Sequence, residues 1–151
     1  MTDRIERDIL IDAPVERVWD VLTEPSHMPG WFSGASATVD LRLGGAIVFH
    51  WQEHGTFHAT IERLDAPVAF SFRWALTADE EPVPGKATLV EFTLTAEGAG
   101  TRLRVVESGF DTLAGTDASR EEHRSNNREG WAEALAGIQA YAPQRESAWG
   151  D

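Results

Sequence analysis

The chain has no cysteine, so neither a disulfide framework nor a thiolate metal cage enters its fold. It lacks any apolar stretch near the roughly 20 residues that a bilayer crossing requires. Its first residues, Met1-Thr2-Asp3-Arg4, run into a strand pattern without the apolar segment of a secretion signal. A cytoplasmic location is therefore the expectation. Positive charge is scarce, with 13 basic against 25 acidic residues and a formal charge of −12. The deficit is spread along the chain: six bases face eleven acids up to residue 75, and seven face fourteen beyond it. A field of that sign repels nucleic acid and anionic lipid, so neither nucleic acid nor membrane is an expected partner. No repeat, linker or low-complexity run divides the 151 residues, a length that suits one domain able to build its own core. The domain is read as residues 1–143, with 144–151 as a mobile tail beyond Pro143.

Large rings are abundant: six tryptophans and seven phenylalanines. They must fill a core or surround a bound molecule. Ile5 to Asp12 alternate as a half-buried strand, with Ile5, Ile9 and Ile11 on one face. Asp12-Ala13-Pro14 reads as a helix start with Asp12 as N-cap. Val15, Val18, Trp19 and Leu22 follow at helical spacing, and a second short helix ends near Trp31-Phe32. Six more strands are expected, at about 37–40, 46–52, 56–64, 69–74, 88–95 and 101–107. They are separated by turn chemistry such as Gly44-Gly45, His54-Gly55 and Asp65-Ala66-Pro67. Connections this short make the strands antiparallel. Alternation gives each strand one apolar face: Ile47, Phe49 and Trp51; Phe57, Ala59 and Ile61; Phe70, Phe72 and Trp74; Val90, Phe92 and Leu94. A last helix from about 118 to 141, with Trp131, Leu135 and Ile138 as its apolar stripe, covers that face. The expected fold class is α+β: a curved seven-stranded antiparallel sheet wrapped around a long C-terminal helix, with two short helices between strands 1 and 2.

That order, with Ile11-Asp12-Ala13-Pro14-Val15-Glu16-Arg17-Val18-Trp19, Trp31-Phe32, Asp40-Leu41-Arg42-Leu43-Gly44-Gly45, Gly100-Thr101-Arg102-Leu103 and Gly130-Trp131…Leu135 in register, resembles the START-like (helix-grip) superfamily. Within it, the chain is similar to bacterial homologues of the C-terminal domain of the ATPase activator of the ninety-kilodalton heat-shock chaperone. The resemblance spans about residues 4 to 142. It implies carriage of lipids, hormones or polyketides between sheet and helix, or cyclase or hydrolase activity in some members. The eukaryotic co-chaperone has a further N-terminal domain for which these 151 residues leave no room, so chaperone contact is not expected. Fold alone does not fix function.

The residues themselves point to a binding role for a small hydrophobic molecule, with a link to stress as an extension of that reading. Phe49, Trp51, Phe57, Phe70, Phe72, Trp74, Phe92 and Trp131 are the candidate ligand-binding rings. Asn127 joins them as a polar group of the kind that orients a ligand in such pockets. Each ring could equally be plain core, where its burial contributes roughly 1.5–3 kcal/mol. Running the helix stripe backward reaches Asn127 and then His123 or Arg124, while alternation turns Glu107 inward. Glu107 and His123 are thus candidates for an acid/base pair at the mouth of the space. The alternative is that Glu107 bonds a loop amide and His123 faces water. No G-x-S-x-G motif and no cysteine nucleophile is present. If Gln52 pairs with Thr56 across a three-residue turn, His50 lies opposite His58 with Cβ atoms about 5 Å apart. That pair faces outward, where a closed ligand shell is hard to build, so at most incidental nickel or zinc binding is expected. No cofactor is expected. A homodimer is compatible with the sequence.

Overall fold

A computed structural model describes residues 4–32 and 35–144. It contains β1 (Ile5–Ile11), α1 (Val15–Thr23), α2 (Met28–Trp31), β2 (Ser36–Val39), β3 (Ala46–Trp51), β4 (Gly55–Asp65), β5 (Ala69–Ala75), β6 (Ala87–Glu97), β7 (Gly100–Ser108) and α3 (Asp117–Tyr141). Single 3-10 turns at Pro25–His27, Phe110–Thr112 and Ala142–Gln144 punctuate the chain. Gln144 closes the last of these, and residues 145–151 of the expected tail lie outside the described residues.

The strands form one antiparallel sheet in the order β1-β7-β6-β5-β4-β3-β2, open at β1 and β2. The α+β helix-grip architecture expected from the pattern is the one observed, with α1 and α2 between the first two strands and α3 across the sheet. No described helix is long and apolar enough to cross a membrane.

Local chemistry explains the details. Helix α1 starts at Pro14, whose carbonyl accepts from Arg17 and Val18 N–H. Asp12 does not cap it, a correction to the sequence reading: the N-cap is Pro14, which has no side-chain acceptor. Helix α3 is capped by Thr116 and Ser119, which exchange side-chain and backbone bonds in a capping box. In β4 the register shifts between Ile61 and Arg63. That extra residue leaves Ile61 opposite Phe72 and Leu64 opposite Phe70, keeping apolar side chains on the inner face on both sides of the bulge. The Gly44-Gly45 turn is structurally required. Gly44 has φ +77, and a Cβ on Gly45 would collide with the Asp40 carbonyl.

The position of α3 also depends on a glycine. A Cβ on Gly137 would lie 2.6 Å from the Trp31 carbonyl oxygen, and one on Gly30 would strike the Tyr141 ring. Gly137 thus lets α3 approach the α2 backbone, and Gly30 makes room on α2 for the Tyr141 ring. Gly137→Val should force the helices apart and cost about 1–3 kcal/mol, read as a lower chemical-denaturation midpoint.

The interior is filled by rings. Phe49, Phe70, Phe72 and Phe92 are 1–3% exposed. Phe70 and Phe92 stack with centroids 6.3 Å apart, Phe49 and Phe72 meet at 5.8 Å, and Trp19 of α1 packs edge-on against Phe70 at 6.0 Å.

Candidate functional site

Strand β7 buries Thr101, Leu103, Val105 and Glu107 in alternation, and the last of these is an acid. Glu107 has no exposed surface. Its carboxylate accepts from Trp131 Nε1 at 2.7 Å, Trp74 Nε1 at 2.9 Å, Thr88 Oγ1 at 2.5 Å and Asn127 Nδ2 at 3.0 and 2.9 Å. Trp74 Nε1 also shares its hydrogen with Thr88 Oγ1 at 3.1 Å. Four donor groups from β5, β6 and α3 thus converge on one carboxyl of β7, and among the described residues no arginine or lysine bonds to it. Burial away from water pushes its pKa up, and the four hydrogen bonds oppose that without cancelling it.

The indoles held by Glu107 form a wall. Trp131 stacks on Trp74 with centroids 5.8 Å apart and on Phe32 at 5.8 Å, and Phe32 stacks on Trp74 at 6.1 Å. Trp51 is fixed against them by an Nε1 bond to the Phe32 carbonyl at 3.2 Å and meets Phe57 edge-on at 5.6 Å. In front of these rings lies a groove of about 890 Å³, open to solvent. The β3–β4 turn forms one rim. The first half of α3 forms the other, with His123, Asn126, Asn127 and Gly130. The space exists because α3 carries polar or small residues there. Its apolar stripe begins only at Trp131, and a Cβ placed on Gly130 would meet nothing within 4 Å.

The sequence candidates therefore divide. Trp51, Phe57, Trp74, Asn127 and Trp131 line the groove. Phe49, Phe70, Phe72 and Phe92 belong to the packed interior behind it. Glu107 and Asn127 meet directly, whereas His123 lines the groove without bonding to Glu107. The loop-amide alternative for Glu107 does not hold either, because its partners are side chains. Arg124 turns to the loop after β7, bonding Asp111 at 3.0 Å and Glu121, with its guanidinium 5.6 Å from the Phe110 ring centre.

The expected histidine pair is corrected by the hairpin register. Trp51 pairs with Gly55, so His50 faces Thr56 and bonds its hydroxyl at 3.1 Å, while His58 faces Val48. The turn is Gln52–His54, one residue earlier than expected, with Gly55 at φ +100 beginning β4. The two imidazoles are diagonal neighbours, not opposed. Among the described residues no group of three potential ligands stands ready to hold a metal.

Thr88 and Asn126 were not singled out from sequence, and Phe32 and Gly130 stood only in motifs of the resemblance, not as site residues. Thr88 was within reach, since the alternation of Val90, Phe92 and Leu94 carries back to it as a polar residue on the inner face.

A sequence profile described as Activator of Hsp90 ATPase homolog 1-like protein matches residues 12–142. Comparison with curated proteins gives no match. Among solved structures, CalU16 from Micromonospora echinospora is 25% identical, with a TM-score of 0.69 over 93% of this chain and 76% of its own. The Aha1 dimer from Colwellia psychrerythraea shares 19% identity and the fold, with a TM-score of 0.72 over 94% of this chain and 97% of its own. DynU16, a protein in the dynemicin biosynthetic locus, shares 19% identity and a TM-score of 0.74 over 95% of this chain. This chain spans only 48% of DynU16.

Proposed function

The chain belongs to the family of activator of Hsp90 ATPase homologue 1-like proteins, and from that premise we propose that it binds a small hydrophobic molecule without transforming it. The observation that carries this reading is the open groove of about 890 Å³ walled by Phe32, Trp51, Phe57, Trp74 and Trp131. Its size lies within the range of small-molecule sites, and a few polar groups on an aromatic wall are the usual means of orienting such a ligand. A cyclase- or hydrolase-type reading needs a carboxylate that substrate can reach. Glu107 is sealed behind two indoles with both oxygens engaged, which argues for a supporting role.

The test uses Gly130. Gly130→Leu fills the groove from α3 where nothing stands in its way. It also replaces glycine by a better helix former, worth up to about 1 kcal/mol. The variant should melt at or above the wild-type temperature. In native mass spectrometry and in a thermal-shift screen against hydrophobic aromatic compounds, it should take up at least tenfold less ligand. Equal uptake by both proteins would sink the proposal.

A further inference from the structure

The groove has a sign as well as a shape. Fourteen residues line it, and none is lysine or arginine. One is an acid, Glu53, at the rim in the β3–β4 turn. A second carboxyl, Glu107, lies one side-chain layer behind the wall, bonded to the Nε1 atoms of both stacked tryptophans. Two indole N–H groups, a carboxamide NH2 and a hydroxyl all donate to it, and once ionised it sets a negative charge directly behind the wall. An indole that donates to a carboxylate is polarised toward its ring, and the ring faces already carry the negative side of the aromatic quadrupole. The whole chain, at −12, adds a field of the same sign.

The geometry points to a hydrophobic cation as the groove's preferred ligand: an aromatic or alkyl body bearing an amine or quaternary ammonium, seated against the Phe32–Trp74–Trp131 stack with its charge toward Glu53 and the Glu107-held indoles. This rests on the ligand-binding reading above and goes further by fixing the charge. A positive centre against the parts of those rings that border the groove gains cation–π attraction in a partly water-excluded site, whereas an anion finds no lysine or arginine among the residues that line it.

Three probes of one shape separate the terms: naphthylmethyl-trimethylammonium, its neutral tert-butyl isostere, and naphthylmethanesulfonate. Each is titrated into the full chain at mildly alkaline pH, followed by tryptophan fluorescence and calorimetry. The ammonium should bind at least tenfold tighter than the isostere, and the sulfonate weaker than both. The ratio of ammonium to isostere affinity should fall several-fold in Glu53→Gln and in Glu107→Gln. That ratio is the readout because a general loss of structure lowers both affinities together. Equal affinity for ammonium and isostere, or a ratio unmoved in both variants, would overturn the charge preference and leave ligand binding standing. Binding of none of the three, with Gly130→Leu indistinguishable from wild type in the ligand screen, would overturn ligand binding itself.

Discussion

Trp131→Ala is expected to cost about 3–5 kcal/mol of stability, the usual range for removing a fully packed tryptophan. In a chain of this size that corresponds to a fall in Tm of roughly 6–20 °C. The ring is 2% exposed and sits where three surfaces join. It stacks on Phe32 and Trp74, meets Phe92 edge-on at 5.6 Å, and donates to Glu107 at 2.7 Å. Its loss opens a void between α3 and the sheet and removes one of the four donors that make burial of Glu107 tolerable. Trp131→Phe weights the two effects differently. It keeps an aromatic ring in the stack but loses the N–H together with part of the indole's volume. Its cost should be at least about 1.5–3 kcal/mol, the range for a hydrogen bond to a charged group, and below that of Trp131→Ala. Denaturation of both variants in urea gives the comparison. Equal midpoints for Trp131→Ala and wild type would mean that α3 is not held to the sheet through this ring.

How this site reads from sequence depends on which periodicity governs each residue. Inward faces of the middle strands follow from alternation, and Phe49, Phe70, Phe72 and Phe92 are indeed inside. Alternation cannot say which inward rings end up buried by others and which border open space. That depends on where α3 lies along the sheet, and α3 is placed by Gly30 and Gly137 meeting Tyr141 and Trp31 from another part of the chain. The backward extension of the helix stripe brought Asn127 to Glu107 correctly because i and i+4 share a helical face. It could not choose between His123 and Arg124, since one is an i+4 and the other an i+3 step from Asn127. The choice fell to Asp111 and Glu121, whose carboxylates draw Arg124 to the loop and leave His123 at the groove. The histidine pair failed for a smaller reason. Moving the hairpin pairing by one residue on each strand preserves every inward face while exchanging every cross-strand partner, so the apolar pattern could not detect it.

Glu107 offers the second large effect, and its sign is set by burial. Glu107→Ala leaves two indoles, a hydroxyl and a carboxamide without their acceptor, and should cost roughly 3–5 kcal/mol. Glu107→Gln should cost less, because the side-chain carbonyl can still accept from Trp131 and Asn127 while the amide resembles the protonated acid. The pH dependence then follows from the raised folded-state pKa. Between the unfolded value and the folded one, the folded protein holds a proton that the unfolded chain has released. Stability from this group is fully present below the unfolded pKa and is lost as pH rises through the folded one. Glu107→Gln cannot lose that proton. Its deficit relative to wild type should therefore be largest in acid and shrink as pH rises out of the ordinary carboxylate range. Glu6 and Glu97, whose arginine partners lower their pKa values, act in the opposite sense: their contribution is present above the unfolded value and lost as pH falls. Both proteins carry those pairs, so they cancel in the difference. Urea midpoints of the two proteins across the acidic to neutral range decide the matter. A deficit that widens with rising pH would mean that the four donors outweigh desolvation and that the carboxylate is favoured in the fold. That outcome would reverse the direction assigned to Glu107, yet leave it as the acceptor that holds the two indoles in place.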